Sequence, residues 1–152
     1  MEETIQLLKS LMKVVIFFIS VGLLISGCGK HSANDSGVKT FYRAIDEDDT
    51  ASLKVRLTSK EFYGQFEINY HGLYKDSGDV NGLLKGDTLK GTYHFQHYGN
   101  DEWYRIPIAL LKKDNKLIMG VGAMEIYMNM TFFTKSIPID YQHPKFVFEK
   151  IK

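Results

Sequence analysis

From residue 50 onward, apolar and polar side chains alternate along the chain with a period of two. In "SLKVRLT", Leu53, Val55 and Leu57 share one face while Ser52, Lys54 and Arg56 take the other, the pattern of a strand with one wet face. "EFYGQFEINY" repeats it, with Phe62, Phe66, Ile68 and Tyr70 against Glu61, Gln65, Glu67 and Asn69. In "DTLKGTYHFQ", Leu89, Gly91, Tyr93 and Phe95 oppose Thr88, Lys90, Thr92, His94 and Gln96. Further runs at "WYRIPIALL", "EIYMNMTFF" and "KFVFEKI" bring the expected total to eight or nine strands. Both faces of "YMNMTFF" are apolar, which suits a strand buried on two sides or one facing a partner. Helical period is missing beyond the first 27 residues, although "VKTFYRAID" at 38–46 suits a short helix as well as a strand.

Turn chemistry agrees with strands. Gly86-Asp87 and Lys113-Asp114-Asn115 each lie between alternating runs, where a hairpin wants residues tolerant of positive φ. The two hairpins echo each other, "LLKGDTLKG" and "LLKKDNKLIMG", but a unit occurring twice makes a meander and not a solenoid. Gly64, Gly82, Gly91, Gly120 and Gly122 fall inside strand-like stretches and point to bulges or sharp coiling. The expected fold is all-β: one antiparallel meander over 38–152 that curls into a small closed or half-open barrel.

The start of the chain has a different character. Residues 14–25, "VVIFFISVGLLI", carry no charge, and Lys9 and Lys13 precede them, the layout of a secretory signal helix. Met12 offers an alternative start. "ISGC" follows, and its Cys28 is the chain's one cysteine. The four residues resemble the lipobox of bacterial lipoproteins, with Ile25 in the place of the commoner Leu, then Ser26, Gly27 and Cys28. That resemblance implies cleavage between Gly27 and Cys28, lipidation of the Cys28 thiol, and anchoring by more than one acyl chain such as palmitate. A retained membrane helix and an ordinary signal peptide are the competing readings. The domain plan is then a signal peptide over 1–27, lipidated Cys and polar tether over 28–37, and the β domain after it.

A second resemblance lies in the body. "SGDVNGLLKGDTLKGTYHFQ" followed by "ALLKKDNKLIMGVG" resembles uncharacterised small lipoproteins of Bacteroidota, across roughly residues 50–122. It implies an envelope lipoprotein with a lipocalin-like or other calycin-like barrel, and it carries over no catalytic residue. Residence in the cell envelope follows, with the outer membrane favoured over the inner and the domain outside the cytoplasm.

Composition narrows the chemistry. Nineteen Lys and Arg against eighteen Asp and Glu give a net charge of +1, which argues against a nucleic-acid partner and against a polybasic membrane sensor. With Cys28 consumed, no disulfide is available and stability rests on packing. His31, His71, His94, His97 and His143 lack the spacing of a metal site, and "DEDD" at 46–49 lacks the glycine and final glutamate of a calcium loop; the latter reads as an exposed acidic turn. No nucleophile motif stands out, so neither a catalytic residue, a metal nor a cofactor is expected, and a non-enzyme is. Tyr93, Phe95, Trp103 and Met119 are the candidate lining of a cavity for one lipid-like molecule, with a filled core as the favoured alternative. The remaining option is docking on another envelope protein through the Met- and Phe-rich strand.

Overall fold

The computed structural model describes residues 37–151. The signal segment, Gly27, Cys28 and the tether to residue 36 lie outside the described residues. Eight strands close an antiparallel barrel: β1 (Lys39–Asp46), β2 (Asp49–Leu57), β3 (Glu61–Tyr70), β4 (Tyr74–Lys85), β5 (Thr88–His97), β6 (Trp103–Lys113), β7 (Lys116–Met119) and, after an excursion, β10 (Val147–Lys150). The excursion contains a separate hairpin of β8 (Met124–Tyr127) and β9 (Met130–Phe133). The all-β reading and the lipocalin-like up-and-down closure hold. Val38–Asp46, open between helix and strand in the sequence, is strand from Lys39 because each of its residues pairs with β2, from Lys39↔Arg56 to Asp46↔Asp49.

The alternation places the core as expected. Leu53 and Val55 of β2, Phe62, Phe66 and Ile68 of β3, and Leu89, Tyr93 and Phe95 of β5 all point inward and are buried. Removing this much aromatic and aliphatic surface from water is the main stabilising contribution. The rings interdigitate: Phe66 lies 4.7 Å from Tyr93 and 5.8 Å from Phe148, and Tyr93 stacks on Phe95 at 4.5 Å.

Both predicted hairpin turns are present. Gly86 has φ 58°, and Asp114 and Asn115 have φ 50° and 62°, the left-handed pair that matches the twist of a two-residue hairpin. Bulges at the strand glycines are not: β2–β3, β3–β4 and β4–β5 run in unbroken register. These glycines serve close approach of backbones instead. A Cβ on Gly82 would stand 2.5 Å from the Cα of its partner Gly91, and one on Gly78 would stand as close to the Cα of Phe95, so neighbouring strands approach backbone to backbone there. Gly120 and Gly122 lie outside the strands, where a Cβ would strike Tyr141 and Phe133. The excursion packs onto its own base through these contacts.

"YMNMTFF" is not one strand. Met128 and Asn129 take φ 50° and 59° and reverse the chain, so β8 and β9 pair from Met124↔Phe133 to Tyr127↔Met130. The turn has no glycine to announce it.

The strand order defines two ends. β1 begins at the entry end, which also holds the β2–β3, β4–β5 and β6–β7 turns and the finish of β10. The mouth holds the β1–β2, β3–β4 and β5–β6 turns, and there β7 gives way to residues 120–146 before β10 starts.

Candidate functional site

The only buried charged side chains among the described residues are Asp49 and Asp76, and both sit at the mouth. Parity puts them there. Asp49 is in phase with Ala51, Leu53 and Val55 of β2, and Asp76 is in phase with Val80 of β4. An inward carboxylate must be paired or fully hydrogen-bonded to be tolerated.

Each is. Lys145, from the segment returning to β10, places Nζ 2.8 Å from Asp49 Oδ2. His71 sets its backbone N–H 3.2 Å and its Nδ1 3.0 Å from Asp49 Oδ1. The Lys145 ammonium beside it, the largest cause, holds the Asp49 carboxyl below the ordinary carboxylate range against the opposing effect of burial. Tyr70 donates from its hydroxyl to Asp76 Oδ2 at 3.0 Å, and His97 Nδ1 is hydrogen-bonded to Asp76 Oδ1. Burial, reinforced by the bond to Asp76, raises the Tyr70 phenol far above its usual value. Lys145 also lies over the rings of Tyr70 and Phe146, at 5.2 and 5.4 Å. Phe146 itself is 1% exposed and packs on Phe148 at 6.0 Å.

This network is a clasp. It joins β2, β3, β4, β5 and the returning segment across the mouth, and Lys145 supplies its ionic link from the returning segment to the barrel. Its carboxylates and phenol are occupied with each other. No group of three or more His, Cys, Asp or Glu that could hold a metal occurs among the described residues. "DEDD" therefore needs correction in one residue. Glu47 and Asp48 are the exposed turn, but Asp49 turns inward to Lys145 and His71.

The proposed cavity residues separate. Tyr93 and Phe95 do face the interior, and they fill it: Tyr93 is 1% exposed and its hydroxyl donates to the Phe66 carbonyl at 3.2 Å. Burial drives that phenol far up. Met119 is partly buried against the same core. Trp103 stands apart. It is out of phase with the inward residues Ile108 and Leu110, is 54% exposed, and lies 4.5 Å from the His94 ring on the outer wall. It lines nothing inside the barrel.

The exposed apolar surface lies elsewhere. In the β8–β9 hairpin Met124, Ile126, Tyr127, Met128, Met130 and Phe132 are all exposed, Ile126 at 78% and Met128 at 74%. Its foot is fixed: Thr134 N–H bonds to the Ala123 carbonyl at 2.9 Å, and the Phe133 ring meets Gly122. Hence a supported two-stranded finger carries apolar side chains on both faces. Comparison with family models, curated proteins and solved structures gives no match for this chain.

Proposed function

We propose that the chain is a lipid-anchored lipoprotein of the cell envelope, allied to the small Bacteroidota lipoproteins its sequence resembles, and that its barrel is a non-catalytic module that docks on another envelope protein. One observation carries the docking: the β8–β9 finger exposes six large apolar side chains in front of a barrel whose interior is packed with rings. Exposed apolar side chains gathered on one hairpin are the mark of an interaction surface, and Met and aromatic residues are enriched in such surfaces. Glu125 lies within the finger, and the Asp-rich β1–β2 turn is at the same end. A neutral or basic protein surface therefore fits it better than an anionic membrane does.

The test is a photo-activated cross-linker at Ile126 in the native envelope, beside one at Ser52 on the outer wall. A discrete protein adduct from Ile126 alone, lost in Met128→Ser/Met130→Ser, is expected. No protein adduct, together with an extra small mass on the detergent-free chain that leaves on denaturation, would return the function to small-molecule binding. The anchor is read independently through Cys28→Ala, which should leave the chain unprocessed or free of the membrane; unchanged processing and membrane association would refute it.

A further inference from the structure

Closing the barrel sorts charges that look evenly mixed along the chain. Within two residues of a strand terminus at the entry end, Lys39 and Lys150 flank the seam together with Glu149. The β2–β3 turn there brings Arg56 and Lys60 against Glu61, and the β4–β5 turn Lys85 and Lys90 against Asp87. The β6–β7 turn adds Lys112, Lys113 and Lys116 against Asp114. Among the described residues that makes nine basic side chains to four acidic.

At the mouth the proportion reverses. Asp46 to Asp49 stand at the β1–β2 turn with no basic residue; Asp101 and Glu102 are followed by Arg105, and Asp76 by Lys75 on its other side. Residues 120–146 add Glu125 and Asp140 against Lys135 and Lys145. The mouth has nine acidic side chains to four basic. A net charge near zero hides a barrel that is positive at one end and negative at the other.

The positive end is open for contact. All of its lysines are exposed, and among the described residues only Lys116 is in an ion pair, with Glu149. Lys39 has its ammonium pKa lowered by the neighbouring Lys54 and by Arg56, so like charges crowd there. Apolar groups lie among them: Val38 is 77% and Leu83 51% exposed, and Leu83 shares a groove of about 380 Å³ with Lys85, Thr88 and Lys90. Lysines around apolar tips are what an anionic lipid surface attracts and partly immerses.

The geometry points to an anionic phospholipid surface as the partner of the entry end, with the barrel standing on the membrane and its mouth and finger directed away. This rests on the anchor reading only for the choice of partner: β1 begins at this end, eleven positions after Cys28, so a chain held at Cys28 brings Lys39 to the headgroups first. Each lysine within a Debye length of the surface multiplies the affinity by about fivefold. An acyl anchor with a basic patch holds more firmly than one acyl chain alone.

The experiment is amine footprinting of the full chain on phosphatidylcholine vesicles with and without a minority of phosphatidylglycerol. Labelling of Lys85, Lys90 and Lys113 should fall several-fold on the anionic vesicles and recover when about 1 M salt shortens the Debye length to about 3 Å. Lys135 at the mouth should label equally on both. Equal labelling at both ends, or protection of Lys135 instead, would overturn the proposal. So would protection of the entry end by inorganic phosphate alone, which would mean a small-anion site. Flotation on neutral vesicles reads the anchor separately. A chain that floats there but shows no entry-end protection keeps the anchor and loses the docking; one that does not float yet is protected on anionic vesicles does the reverse.

Discussion

At the mouth, Lys145 reaches Asp49 at 2.8 Å; at the entry end, Lys116 reaches Glu149 at 2.7 Å. The contacts match in length, and both carboxyls are held below their ordinary pKa by the lysine. Their surroundings differ. The Asp49 side chain is 9% exposed and has His71 as a second partner, whereas Glu149 is 69% exposed and open to solvent. A carboxylate withdrawn from water depends on its partners, and a solvated one does not. The mouth is thus tied shut by specific contacts. The entry end is closed by short turns and left with exposed charge on its surface.

The apolar side chains give the sharpest test of this contrast. Phe146 at the mouth is 1% exposed and Leu83 at the entry end is 51% exposed. Phe146→Ala should cost about 3–5 kcal/mol through lost burial and a residual cavity, while Leu83→Ala should stay within about 0.5 kcal/mol. Urea unfolding of the two variants checks it. Comparable losses would mean that Leu83 is covered and that the entry end is no free surface.

Where the entry end is vulnerable is its backbone. Gly82 and Gly91 face each other across β4 and β5, and a Cβ on Gly82 would also come within 2.7 Å of the Phe62 ring. Gly82→Ala should therefore destabilise by about 1–3 kcal/mol by overpacking, measured by the same unfolding. A neutral outcome would show that the strands can part there and that the close backbone approach is not required.

The clasp should show itself through pH. Because its folded pKa is lowered, ionised Asp49 contributes stability that is fully present above the unfolded carboxylate value of about 3.9. That contribution is lost as pH falls through the folded value. Lys145→Met keeps the packing on Tyr70 and Phe146 and removes the cation. The variant should melt below the parent at neutral pH, and the gap should close as pH falls below about 4. A gap that stays constant with pH would mean Lys145 acts by packing alone.

Much of the fold was legible because alternation reports it directly. Leu53, Val55, Phe66, Tyr93 and Phe95 went inward as the period of two required. The clasp was missed although the same parity reaches it: Asp49, Asp76 and His97 are in phase with those apolar positions. Carboxylates at strand ends resemble turn residues, and only the partner Lys145, nearly a hundred residues from Asp49, makes one of them stable inside. Trp103 was misplaced by its chemistry, since an indole reads as core while its phase in β6 puts it outside. The β8–β9 reversal was hidden because Asn129 is its one residue tolerant of positive φ and stands inside a largely apolar run, and the charge sorting could not be seen because it exists only after closure.

The smallest effect divides stability from surface attraction. Lys116→Met removes the cation from the exposed pair with Glu149, and its melting temperature at physiological salt should match the parent's, because exposed pairs gain little and salt screens what they gain. A loss as large as that of Lys145→Met would mean burial is not what distinguishes the two ends. The same substitution takes one positive charge from the entry end, so anionic-vesicle affinity should fall by about fivefold while the fold is untouched. A lysine that leaves stability unchanged and still lowers vesicle affinity is what a surface built for contact contains. At the mouth, Lys145→Met should behave the other way: it should weaken the fold at neutral pH and leave attraction to the vesicle where it was.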